Sequence, residues 1–224
     1  MTNFAPSDQT VIAGRAIDVE ARLRNAAEHG DARASFSIYL KLAQCADSMA
    51  TGTSEQEREM FRQGGVDTRT LDEATAKLQV ECQGAEELIA SRGRWLEIAA
   101  ENGLKEGQLL YAADPVAVLG SDDLKKLDPE AVAEYGQRSE SYMSNLALTG
   151  DVDAMLSLSL MYKASQFTPR DYVKSAAFRL AAERAAPTII RPQPLSLTMS
   201  GLDANQQADA IRMARDIQSR CCKS

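Results

Sequence analysis

One histidine, His29, is all the imidazole this 224-residue chain carries. Histidine-based metal clusters and zincin motifs are excluded on that count alone. Cysteine is also scarce: Cys45, Cys82, Cys221 and Cys222 include no C-x-x-C spacing, which removes the usual zinc and dithiol motifs. Phosphate-cradling loops are missing, because "RQGGVDT" and "SRGRW" have neither the glycine spacing nor the lysine. No apolar run nears the roughly 18 residues a bilayer crossing takes; Leu109 to Ala113 and Val116 to Leu119 stop far short. Aromatic residues make up only 5%, against 44% hydrophobic residues in all, so alanine and leucine carry most of the apolar mass. That balance favours close-packed helices over sheets, which draw on β-branched and aromatic side chains. Positive charge is in deficit, with 25 Lys and Arg against 32 Asp and Glu and a formal net charge of −7. An acidic chain repels phosphate backbones, so nucleic acid is not expected as a partner. The opening stretch, "MTNFAPSDQTVIAG", holds no Lys or Arg and no continuous apolar block. No export signal is legible there. The expectation is a cytoplasmic protein, or a periplasmic or secreted one whose leader has been removed.

What the chain does have is a phrase written three times. "LRNAAEHG" (Leu23 to Gly30), "LEIAAENG" (Leu96 to Gly103) and the looser "MSNLALTG" (Met143 to Gly150) align on Ala26, Ala99 and Leu146, with Ala181 as a fourth register point. Three residues before each stands a large apolar residue: Leu23, Leu96, Met143 and Phe178. That offset puts the large and the small residue on one helix face. Four residues after stands Gly30, Gly103, Gly150 or, in the last copy, Ala185. Glycine there ends a helix, because it enters the left-handed conformation at little cost. Asp31 and Asp151 follow at once, placed to open the next helix. Successive copies lie 73, 47 and 35 residues apart, one ordinary step of a helical-repeat chain and two enlarged ones.

The last unit is the plainest. Its spacing predicts a helix from Val152 to Ser165, then a second begun by Thr168-Pro169 and carried by Tyr172, Val173, Ala176, Ala177, Leu180 and Ala181. "LSLSLMY", Leu156 to Tyr162, alternates as a strand does, but the glycine phrase beside it fixes a helical register. Gly150, Ala154, Leu158 and Tyr162, followed by Asp171, Lys174, Ala176, Phe178, Ala181 and Ala182, resemble one unit of the Sel-one-like repeat family. Those repeats are helical hairpins related to tetratricopeptide repeats. The family's glycine-rich inter-helix loop is replaced here by "KASQFTP". The third hairpin fits best, the second (Leu104 to Thr149) matches at its ends, and the first (Asp31 to Asn102) carries a long insertion. The resemblance implies an α/α superhelix serving as a protein-interaction scaffold, and no catalytic residue.

The expected fold is therefore all-α: a short solenoid of about three helical hairpins, capped at both ends, in a single domain over 1–224. It divides into an opening helix over 7–28, hairpins over 31–102, 103–149 and 150–186, an extended proline-rich segment over 187–202 and a capping helix over 203–220. The capping helix carries Ala208, Ile211, Ala214 and Ile217 on one side. In the first hairpin, "GTSEQEREMFRQGGVDT" predicts a short helix ending at Gly64-Gly65, and Arg69 to Glu101 one long helix broken near Gly84 or Gly93. In the second, Pro115 and Pro129 act as breakers and Asp128 as a cap.

Chemistry-bearing residues are few. His29 stands where Asn102 stands in the next copy, before a helix-ending glycine, which predicts a capping or surface role. Glu86-Glu87 and Asp122-Asp123 point apart as helix neighbours and read as solvated charges. "GDVD" at Gly150 opens a helix, since a calcium-loop pattern fails at Met155 and Leu156. No catalytic, cofactor-binding or metal-ligating residue is nominated, and no cofactor is expected. Cys45 and Cys82 are the one site candidate. With Asp31 opposite Asn102 in an antiparallel hairpin, they fall about three residues out of register, ~4.5 Å along the axis. That is close enough for a disulfide; two buried free thiols are the alternative. Cysteine-rich Sel-one-like proteins staple hairpins in this way, and a bridge would indicate an oxidising compartment. "RCCKS" lacks the aliphatic residues of a prenylation tail. As chain neighbours, Cys221 and Cys222 are expected to be free or linked to another chain, not to each other.

The expected function is a non-enzymatic protein–protein interaction scaffold of bacterial type. Its acidic charge suits a partner with a basic surface. Alternatives are an inhibitor or immunity protein that plugs a toxic enzyme, a structural subunit of an envelope assembly, and a carboxylate-based hydrolase built from residues distant in sequence. No membrane insertion is expected.

Overall fold

Gly30, Gly103 and Gly150 turn the chain in the same way. They take φ of +88°, +78° and +89°. Each glycine N–H donates to the carbonyl of Ala27, Ala100 or Ala147, and the next N–H donates to Ala26, Ala99 or Leu146. This pairing is the Schellman closure of a helix end. The residues that align the three phrases are thus its carbonyl acceptors. The small residue common to all four copies in burial lies one place later than the spacing predicts: Ala27, Ala100, Ala147 and Ala182 are buried, while Ala26 is exposed.

The computed structural model describes residues 11–50, 55–65 and 67–222, and among them all regular structure is helical. The chain is all-α. Its packing gathers into two compact units, one reaching Gly107 and one starting at Gln108. The division falls inside the second predicted hairpin.

The first unit holds α1 (Ala16–Glu28), α2 (Ala32–Ala50), α3 (Glu55–Gln63), α4 (Arg69–Cys82), α5 (Glu86–Ala90) and α6 (Arg92–Glu101), and α7 (Lys105–Ala113) carries the division. Asp31 opens α2 as expected, its carboxylate accepting the N–H groups of Arg33 and Ala34 at 3.0 Å. α1 and α6 both pack along α2, with α4 and α5 adding smaller contacts. Flanked in this way, α2 buries residues around much of its circumference, including Phe36, Ile38, Tyr39, Leu42 and Cys45. Two predicted boundaries move. The opening helix begins at Ala16 rather than at residue 7: residues 11–15 are non-helical, with Gly14 at φ +113°, and 7–10 lie outside the described residues. A mid-helix glycine costs about 1 kcal/mol relative to alanine, which favours a start after it. The long helix over Arg69 to Glu101 is three helices. Gly84 (φ +74°) makes the first break, but the second falls at Ser91, whose hydroxyl bonds the Leu88 carbonyl at 2.9 Å. Gly93 is buried inside α6.

The second unit continues with α8 (Pro115–Leu119), a 3-10 turn over Leu124–Lys126, α9 (Pro129–Leu148), α10 (Val152–Ala164), α11 (Tyr172–Ala185), α12 (Leu195–Thr198) and α13 (Ala204–Cys221). Aspartates start most of these helices. Asp114, Asp128, Asp151, Asp171 and Asp203 each accept a backbone N–H two or three residues ahead. α10 packs on α9 and α11, and α13 covers α11. Their shared core includes Met143, Ala154, Met155, Leu158, Tyr162 and Ala182. Burying a leucine such as Leu158 contributes about 1.5–3 kcal/mol. "LSLSLMY" is helical throughout. α11 starts at Tyr172, not at Thr168-Pro169, because Asp171 supplies the cap by accepting the Lys174 N–H at 2.9 Å. The segment expected to be extended over 187–202 contains the turn α12, which forms after its last proline, Pro194. α13 packs Ala214 against α11 with Ile211 and Ile217 beside it, as the spacing predicts; Ala208 is exposed, and Ala210 is buried instead.

Candidate functional site

α10 is apolar on two sides. Met155, Leu158 and Tyr162 belong to the core. Leu156, Ser159, Leu160 and Lys163 recur at helical spacing along another face. They form one wall of a groove of about 520 Å³, within the roughly 300–1,000 Å³ typical of ligand clefts. Tyr172, Ser175, Ala176 and Arg179 of α11 form the facing wall. The two helices run antiparallel: the Asp171 N–H donates to the Tyr162 carbonyl at 3.1 Å. Between them the buried Ser175 hydroxyl donates to the Ser159 carbonyl at 2.8 Å, with the two serine hydroxyls 3.4 Å apart.

A strap over 191–202 closes the third side. At one end the Glu183 carboxylate, 7% exposed, accepts Arg179 Nε at 2.7 Å and the Gln193 N–H at 3.1 Å, and Arg179 Nη2 donates to the Arg191 carbonyl at 3.3 Å. At the other end Met199 and Leu202 are buried in the α11–α13 core. Fixed at both ends, the strap presents Leu195 and Leu197 outward, 59% and 66% exposed. Leu160 (65%) and Tyr172 (47%) line the groove with Leu197, and the fold leaves all three in water. Among the described residues no carboxylate lines the groove. Arg179 is neutralised by Glu183, whereas Lys163 has no ion pair among the described residues.

Tyr111, Tyr135 and Phe167 form an aromatic cluster in the same unit. Phe167 meets Tyr135 edge-on at 4.8 Å, and Tyr111 stacks on Tyr135 at 5.4 Å. The Tyr135 hydroxyl donates to the Tyr111 and Ala112 carbonyls, and burial pushes its pKa up to about 12. Burial, and then the hydrogen bond its hydroxyl gives to Glu140, raises Tyr162 above the ordinary tyrosine value. Both phenols stay protonated at neutral pH and serve as donors.

The predicted disulfide partners do come together. Cys45 on α2 and Cys82 on α4 have Cα atoms 5.4 Å apart and sulfurs at disulfide distance, 1.99 Å. One turn away, buried Lys41 pairs with Glu81, their side chains 1% and 13% exposed. The hydrogen bond from Lys41 holds the Glu81 carboxyl below the ordinary glutamate range. Cys221 and Cys222 depart from expectation, with sulfurs 2.19 Å apart. Cys222 leaves helical geometry (φ −125°, ψ 57°) where α13 ends beside Gly150. His29 is the exposed C-cap of α1, its Nδ1 2.7 Å from the Asn25 carbonyl oxygen. Glu86 and Glu87 are exposed in the first turn of α5, Asp123 accepts the Lys125 N–H, and Asp151 caps α10. None of these lines the groove. Among the described residues no three His, Cys, Asp or Glu side chains gather as a metal site, and no helix is long and apolar enough to cross a membrane.

No family model, curated protein sequence or solved structure matches the chain. The groove residues Leu160, Lys163, Tyr172 and Leu197 were not singled out by sequence as binding residues. Their one signal was the surplus of leucine around α10, the same surplus that makes "LSLSLMY" alternate like a strand.

Proposed function

We propose that the chain is a protein-interaction scaffold of helical-repeat type, its hairpins related to Sel-one-like repeats, that grips a partner through the groove of α10, α11 and the strap. The observation that carries this reading is that Leu160, Tyr172 and Leu197 stand exposed around a formed cleft. Apolar residues gathered on a monomer's surface mark interaction sites. The buried Ser175 hydroxyl is occupied with structure, since it spends its proton on the Ser159 carbonyl. The position of Cys45 and Cys82 supports an oxidising compartment, the periplasm or the cell exterior. Inhibition of a toxic enzyme is one form of the same activity, and a net charge of −7 favours encounter with a basic enzyme surface.

Affinity capture with the tagged full chain from native lysate tests the reading. One protein enriched reproducibly over a tag-only control is expected. Recovery of nothing above background, or a hydrolase screen showing turnover abolished by a single Asp or Glu substitution, contradicts it.

A further inference from the structure

We infer that the groove takes an acidic-apolar peptide segment of the partner, with its carboxylate seated at the Lys163 end. This rests on the scaffold reading and names the chemistry of its ligand. The chain as a whole is strongly acidic, with net charge −7, yet among the described residues the lining of this groove holds two cations and no carboxylate. The local sign, not the net charge, decides what sits inside a cleft.

The two cations are not equivalent. Arg179 is engaged by Glu183 and by the Arg191 carbonyl, so its end of the groove is electrically spent. Lys163 has no ion pair among the described residues. In the antiparallel pair it lies near Tyr172, whose ring carries the Arg170 guanidinium 5.7 Å from its centroid. The nearest acid in sequence, Asp171, keeps its charge while capping α11 at the Lys174 N–H (2.9 Å), and Lys163, Arg170 and Lys174 outnumber it. Positive charge is therefore left over at one end. Leu156, Leu160 and Lys163 lie along one helix face, a span of about 10 Å at ~1.5 Å per residue. That length fits about three extended residues, or two helical turns, with apolar side chains on Leu156, Leu160 and Leu197 and a carboxylate at Lys163. A basic segment would meet unpaired positive charge in the same place.

The test is selection of a random phage-displayed peptide library on the full-length native protein, with affinities of recovered peptides then measured by calorimetry. Recovered sequences should join Asp or Glu to Leu, Ile or Phe. Lys163→Glu should weaken them about tenfold or more, because it sets like charges together, and should turn a fresh selection toward Lys and Arg. Leu160→Asp should weaken them to a similar degree, while Val80→Asp, at an exposed site on α4, should change nothing. Leu160 and Lys163 are exposed, so unchanged circular dichroism is expected of their variants. Recovery of basic peptides, no enrichment, or indifference to Lys163→Glu overturns the inference. If wild type and Leu160→Asp capture the same lysate protein equally well, the chain is still a scaffold, but the groove as its binding face falls together with this inference. If wild type captures nothing, the scaffold reading falls, and the peptide selection still decides the groove.

Discussion

At Gly136, α9 meets the Phe167 backbone so closely that a methyl group has nowhere to go: an added Cβ would lie 2.0 Å from the Phe167 carbonyl oxygen. Gly136→Ala should therefore cost about 3 kcal/mol or more by urea denaturation, the upper end for overpacking. Gly103→Ala meets open space and only a left-handed backbone (φ +78°), so about 1 kcal/mol is expected. Equal costs would contradict the distinction. Glu81 gives a pH test. Its folded pKa is depressed, first by the hydrogen bond from Lys41, so its contribution is present above its unfolded pKa and lost as pH falls through the folded one. The stability gap between wild type and Glu81→Gln should thus narrow as pH drops below the ordinary glutamate range. A gap that widens there contradicts the pairing. The roles of His29, Asp31 and Asp151 were legible in sequence because capping is local chemistry. Gly136 was not, since its demand comes from a loop about thirty residues on. Nor was Ser165, which takes φ +54° in "KASQFTP".

Among elements, the helices that end in the repeated phrase were readable because a Schellman closure writes its glycine and its acceptors within one turn. Starts were harder. Thr168-Pro169 is an acceptable helix opening, and only the competing cap at Asp171 displaces it. The second break in the long helix went to Ser91 because Gly93 is claimed by burial in α6. Cys45 and Cys82 could be placed from hairpin register, and they set the element-scale prediction. Replacing both with serine frees a closure of 37 residues, worth roughly 3–4 kcal/mol on the loop-entropy account. By hydrogen exchange, amides of α2 and α4 should lose protection while those of α10 and α11 keep theirs. Uniform loss across both units, or no loss in α2, contradicts the placement of that tie.

For the molecule as a whole, composition and the recurring phrase were enough for an all-α chain, because alanine-rich helices with glycine stops leave little else to build. The groove was beyond reach. It exists only because the strap returns to α11 through Glu183 and Gln193, ten residues apart in sequence, and no local pattern encodes that return. The net charge pointed to a basic partner, while the groove's own lining has the opposite sign. A photo-crosslinking residue in place of Leu160, in the full chain expressed in its own cells, probes this surface directly. One discrete adduct with a single protein is predicted from position 160 and none from position 80 on α4. Adducts from neither position, or from both alike, would contradict a binding face on α10.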